Sequence, residues 1–156
     1  ILTKPKRAKI VINKKSKILF ICKGNINRSS FAEYYLKSKG FENIKSVGTI
    51  NREGRKPSKI MEKIAKESYL IDMSNHSSKY LKEKDFLNSE IVFYFDNKNF
   101  HEIKKRFPNY MNKVFFIGCQ TRHLNTIKDP FGALYNDYSK VADKISVILD
   151  NLIANK

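Results

Sequence analysis

The chain has 156 residues, 41% of them hydrophobic, enough for one core and too few for two ordinary domains. Its 31 basic and 15 acidic side chains leave a formal net charge of +16. The lysines are spread over every segment without a block, which argues against a specific nucleic-acid partner and leaves only a general, salt-sensitive attraction to anions. Two cysteines make no disulfide framework and no apolar run approaches the roughly 18 residues of a membrane span, so a cytoplasmic setting is expected, with no repeat or low-complexity tract.

The first sixteen residues stand apart as a basic extension. Lys4-Pro5-Lys6-Arg7 is irregular, Ala8 to Ile12 is expected as an extra edge strand, and with Ile1 in place of a starting Met the chain is expected to be a piece of a longer protein. Lys17 to Ile21 reads as a buried strand ending in Cys22, and Phe31 to Gly40 as a helix closed by its glycine. The full layout is strand 17–22, helix 29–39, strand 43–48, helix 57–68, a short helix near 76–83, strand 90–95, helix 97–106, strand 113–117 and a last helix 136–153. Val141, Ile145, Ile148, Leu149 and Leu152 share one side of that last helix, with Asn136 or Asp137 as its cap. Alternation of this kind predicts an α/β fold, a parallel sheet with helices on both faces joined by right-handed crossovers.

The loop from Cys22 to Arg28, between the first strand and its helix, carries the chemistry. Gly24 is expected at positive φ, so that the amides from Lys23 to Arg28 turn inward as a nest for an anion at a helix N-terminus. Arg28 offers a planar fork of donors for two phosphoryl oxygens. The same positive environment favours the thiolate of Cys22 as a nucleophile, and Ser29 can donate its hydroxyl to that sulfur. No Gly-Lys-Ser/Thr follows the glycine, which excludes a nucleotide-binding P-loop. A proton donor must come from another loop at the same sheet edge, and Asp129 in Ile127-Lys128-Asp129-Pro130-Phe131 is the candidate, stiffened by Pro130. Asp96, directly after the third strand, is read as a support and Cys119 as a buried structural residue.

These residues resemble the low-molecular-weight protein tyrosine phosphatases, whose pattern is Cys-x-Gly-Asn-x-Cys-Arg-Ser-Pro near the N-terminus and Asp-Pro near the C-terminus. The resemblance runs from about Lys17 to the end, and residues 17–156 are taken as the phosphatase domain. It implies a three-layer sandwich on a four-stranded parallel sheet of the flavodoxin-like kind, and a metal-free phosphotyrosine phosphatase without cofactor. Cys22, Arg28 and Asp129 would be catalytic. Lys23, Gly24, Asn25, Ile26, Asn27, Ser29 and Phe131 would bind substrate. Ser46 in Ser46-Val47-Gly48-Thr49 and His76 in His76-Ser77-Ser78-Lys79 would join Asn25 in the network that shapes the loop. The partner implied is a phosphotyrosine-containing protein, with a tyrosine kinase as one candidate.

Several positions depart from that pattern. Asn27 replaces the second loop cysteine, Ser30 the usual proline, and Phe131-Gly132 a tandem aromatic pair, while Ile50 and Arg52 stand where the family has an apolar or aromatic wall. Ile26 points by resemblance to phosphotyrosine, since threonine there goes with phosphoarginine. Two other readings are a phosphate-binding module with weak catalysis and, less favoured, an arsenate reductase, for which only Cys119 is available as a relay.

Overall fold

Five consecutive buried residues, Ile18–Cys22, form β1, the run without polar alternation that a strand covered on both faces requires. The computed structural model describes residues 10–119 and 126–153. After β1 come α1 (Arg28–Ser38), β2 (Ile44–Gly48), α2 (Lys59–Tyr69), α3 (Glu83–Leu87), β3 (Ile91–Tyr94), α4 (Asn97–Arg106), a 3-10 turn (Pro108–Lys113), β4 (Val114–Phe116) and α5 (Tyr135–Leu152). All pairings are parallel, in the order β2-β1-β3-β4. The sheet is thus the four-stranded α/β architecture expected.

That order sets the position of any ligand. From β1 the chain crosses to β2 on one side, and from β3 to β4 on the other. Right-handed crossovers in opposite directions put α1 and α4 on opposite faces and open a crevice beyond the C-terminal ends of β1 and β3. Cys22 ends β1 and Asp96 follows β3, so both lie at this crevice. α1 covers β1 and β2, and α5 packs on α1 and α2. In the interior Phe20 stacks on Phe93 with ring centroids 5.7 Å apart, one register step along the β1–β3 ladder from the crevice.

Two local expectations are corrected. Residues 76–80 form no helix; the short helix is α3, and the segment before it is extended, with Tyr80 bridging Gly48 in parallel. The Gly48 amide donates to Lys79 O at 2.8 Å and Leu81 N to Gly48 O at 2.9 Å, so sheet-like pairing along the free edge of β2 outcompetes helix. α5 begins after Leu134, and Asp137 at its third position reaches back to accept from Leu134 N at 3.2 Å, so it serves the helix start from inside the helix. Ile12, at the end of the expected edge strand, makes one parallel bridge to Ile153 beyond α5, with its amide on Leu152 O at 2.8 Å. Lys4 to Arg7, and Ala8 and Lys9 of that strand, lie outside the described residues.

Candidate active site

The loop after β1 is held from below by its own asparagine. Asn25, not Gly24, is the residue at positive φ (57°), a conformation asparagine tolerates better than most side chains. Gly24 serves close approach instead: a Cβ there would stand 3.1 Å from Nη2 of Arg55, which donates to Gly24 O at 2.8 Å. Gly48 is needed for the same reason, since its Cβ would meet Lys23 O at 2.7 Å. Thr49 N and Ile50 N then reach Cys22 O and Lys23 O at 2.9 and 3.2 Å, extending the β1–β2 ladder into the loop.

The buried polar groups orient one another in a chain. Lys79 N donates to Oδ1 of Asn25 at 2.9 Å, which fixes the amide so that Nδ2 donates to Ser29 Oγ at 2.9 Å and Ser46 Oγ at 2.8 Å. Ser46 Oγ in turn donates to Glu33 Oε1 at 2.6 Å. Ser29, having accepted from Asn25, can turn its own hydrogen to Sγ of Cys22 at 2.9 Å, a closer acceptor than Val47 O at 3.4 Å, and the Asn25 amide approaches the same sulfur at 3.3 Å. Two donors therefore converge on Sγ, the arrangement that suits a thiolate. Nε2 of His76 donates to Asn25 O at 2.6 Å. The structure thus brings Asn25, Ser29, Ser46 and His76 into one assembly beneath Cys22.

Arg28, which lines the same cavity as Cys22, is 1% exposed. Its Nη1 donates to Asp96 at 2.6 Å and to Ile127 O at 2.9 Å, which ties the β1 loop to the segments after β3 and β4. Asp96 divides its oxygens: Oδ2 takes Arg28 and Oδ1 caps α4 through Asn99 N at 2.8 Å. With Nη1 anchored, Nε remains buried without a hydrogen-bond partner among the described residues, and Nη2 lies 3.6 Å from Asp129. A buried unpaired guanidinium donor is costly unless a ligand meets it. The amides of Lys23, Gly24, Ile26 and Asn27 also find no protein acceptor among the described residues. Unpaired loop amides and a charged fork that share a cavity lining with a sulfur make a seat for a tetrahedral anion.

Asp129 sits at the mouth, with 35% of its side chain exposed. Its Oδ1 accepts from Phe131 N at 3.1 Å, a turn that leaves Oδ2 facing Arg28, while Pro130 is buried as an anchor. A cavity of about 150 Å³ joins these parts, lined by Cys22, Lys23, Gly24, Ile26, Asn27, Arg28, Ile50, Arg52, Arg55, Asp129 and Phe131. Phe131 is itself 71% exposed and forms a rim, not a closed wall. Oδ1 of Asn27 accepts from Ser58 Oγ, the cap of α2. Cys119 is buried, and burial pushes its thiol upward.

Arg55 and Glu33 are site residues that the sequence reading missed. Glu33 carried a usable signal, since it falls four residues after Ser29 on the same face of α1. Arg55 carried little, because an arginine in a Gly-Pro-rich connection reads as solvent-facing.

Burial holds His76 below the ordinary histidine range, outweighing the Asn25 carbonyl and Glu33, which favour its proton, while Lys79 and Lys37 oppose it; Tyr34 packs edge-on against the ring. The unfolded chain takes up a proton near pH 6.5 that the folded one refuses. Stability is therefore full above about pH 6.5 and falls as pH drops toward the lower folded value. Thermal unfolding between pH 7.5 and 5 should show this loss, and His76→Gln should flatten it; an equally steep loss in the variant would exclude His76 as the cause.

Residues 17–155 match the model of the low molecular weight phosphotyrosine protein phosphatase family. The chain is 30% identical over 141 residues to a protein-arginine-phosphatase of Geobacillus stearothermophilus, covering 87% of this chain and 93% of that protein. Among solved structures, a low molecular weight protein tyrosine phosphatase from T. tengcongensis superposes with a TM-score of 0.82 at 30% identity, covering 88% of this chain and 97% of that one. A protein tyrosine phosphatase from Entamoeba histolytica gives 0.79 at 30% identity, over 88% and 94%.

Proposed function

The chain belongs to the low molecular weight phosphotyrosine protein phosphatase family, and we propose that within it the protein hydrolyses phosphotyrosine in proteins through a phosphocysteine. The observation that carries this reading is the convergence of the Ser29 hydroxyl and the Asn25 amide on Sγ of Cys22, in the floor of a cavity lined also by Arg28 and Asp129.

Sγ attacks phosphorus in line with the ester oxygen. As the P–O bond breaks, Asp129 gives its proton to the departing tyrosyl oxygen, leaving phosphate on sulfur and a carboxylate at Asp129. Water then attacks phosphorus, its proton passes to that carboxylate, and the S–P bond breaks to return the thiolate. Nε and Nη2 of Arg28 with the loop amides hold the equatorial oxygens throughout. Ser29 hydrogen-bonds the sulfur as it leaves. Asn25, Ser46, His76 and Asp96 act through the loop and Arg28 and not on the substrate. Residues 17–156 form the catalytic domain, with 1–16 a basic extension, in a cytoplasmic protein.

The choice of tyrosine rests on the walls. Ile26 and Ile50 offer apolar surface beside the anion seat, and an aryl ring can lie against an arginine face. The lining also includes Lys23, Arg52 and Arg55 against one carboxylate, Asp129, which disfavours the cationic guanidinium left when phosphoarginine is cleaved. A second reading, phosphoarginine, is favoured by the similarity to a protein-arginine-phosphatase. Matched peptides carrying phosphotyrosine or phosphoarginine decide between them. A kcat/KM at least about tenfold higher for phosphotyrosine is expected; the reverse ratio would assign the protein to phosphoarginine.

The replacement at Asn27 has its own consequence. The loop holds no second thiol beside Cys22, so peroxide can carry the sulfur beyond sulfenic acid. Excess peroxide should inactivate with little recovery on adding thiol, and full recovery would show that another thiol protects it.

A further inference from the structure

The mouth of the cavity holds more positive charge than binding one phosphoryl group requires. Lys23, Arg52 and Arg55 line it together, and among the described residues none of the three has a carboxylate within ion-pair distance. Glu53, the nearest acid in sequence, turns away to Lys82 and to Tyr80 N. Like charges held together without a counter-ion repel, so the arrangement waits for an anion.

The two arginines do not hang loosely from a surface loop. Ser78 clamps the backbone that carries them: its Oγ accepts from Arg55 N at 2.9 Å and donates to Arg52 O at 2.9 Å, and its amide donates to Arg55 O at 2.8 Å. Gly54 N closes the clamp on Ser78 O at 2.9 Å. The Arg55 guanidinium is then set by its bond to Gly24 O, with Nε buried and without a partner among the described residues. A planar fork fixed before binding loses little freedom on meeting a carboxylate. Burial, and then the neighbouring Arg52, push the Arg55 guanidinium downward, a tension that an anion would relieve.

We infer that Lys23, Arg52 and Arg55 form a second anion subsite that takes the carboxylate of an Asp or Glu next to the phosphotyrosine, making the protein selective for acidic phosphotyrosine segments. This rests on the tyrosine reading above. Arg28 and the loop amides hold the phosphate. Arg55, through its bond to the Gly24 carbonyl, joins the two seats, so that the carboxylate and the phosphoryl group are read from one rigid loop. Arg52, more exposed, supplies a donor that serves the second seat alone.

The test compares phosphotyrosine peptides of one length whose flanking residues are Glu or Gln, at fixed ionic strength, for wild type, Arg52→Ala and Lys66→Ala. Lys66 is an exposed lysine on α2 outside the cavity. Wild type should prefer the Glu peptide by about tenfold in kcat/KM, the size of one charge-assisted hydrogen bond. Arg52→Ala should bring that ratio to within about twofold, while Lys66→Ala keeps it. Good turnover of both peptides by wild type with a ratio near one would overturn the subsite and leave the tyrosine reading standing. An equal fall of the ratio in both variants would overturn it too, as an effect of overall charge. Turnover of phosphoarginine but of neither phosphotyrosine peptide would remove the underlying reading and the subsite with it.

Discussion

Cys22→Ser is expected to reduce turnover of phosphotyrosine peptides below detection, a loss of at least about 10⁴, while the folded protein still binds them. The reason lies in what surrounds the sulfur. Asn25 N and Ser29 Oγ are both donors, so they stabilise an anion at this position but take no proton from it. A serine hydroxyl is far too weak an acid to ionise on such help, and the carboxylate that lines the cavity, Asp129, has to protonate the leaving oxygen. Binding should survive because the anion seat is made of backbone amides and of Arg28, whose Nη1 is anchored through Asp96 and Ile127 O without help from the sulfur. Initial rates, together with equilibrium binding of inorganic phosphate, separate the two effects. Turnover in the variant above a tenth of wild type would exclude the sulfur as nucleophile.

Asp129→Asn should lower turnover of phosphotyrosine by about 10² to 10⁴. Asparagine keeps the shape and can still accept from Phe131 N, so the turn around Pro130 should hold. What is lost is the proton. The loss should therefore shrink as the leaving group improves: severe for tyrosine, whose phenol ionises near pH 10, and slight for a dinitrophenyl ester, which departs without a proton. Rates measured over a series of aryl phosphates give the slope against leaving-group acidity. A slope no steeper than in wild type would place the general acid elsewhere.

Much of this architecture was legible in the chain because its signals were local. The run Ile18 to Cys22 is apolar without alternation, α4 falls within the expected bounds, and Arg28, six residues after Cys22, falls at the start of α1. The misreadings came where pairing between distant segments decides the outcome. Residues 76–80 look helical by themselves, yet the edge of β2 offers Gly48 N and O, and an extended strand satisfies both. The left-handed turn belongs to Asn25 because its side chain is held by Lys79 N, Ser29 and Ser46, contacts that no local pattern announces. At the site the nucleophile loop was readable as a unit, since strand, cysteine, glycine, arginine and helix are contiguous. Arg55 was not, because its role rests on one bond to Gly24 O across the loop–loop interface.

The most direct test of the mechanism is to quench Asp129→Asn during turnover of a dinitrophenyl phosphate and locate the phosphoryl group by mass spectrometry of the digested protein. Release of the phenol without needing Asp129, followed by slow hydrolysis without its base, predicts phosphate accumulating on the peptide that contains Cys22. Phosphate on any other residue, or steady release of phosphate from a protein whose Cys22 peptide stays unmodified, would contradict attack by that sulfur.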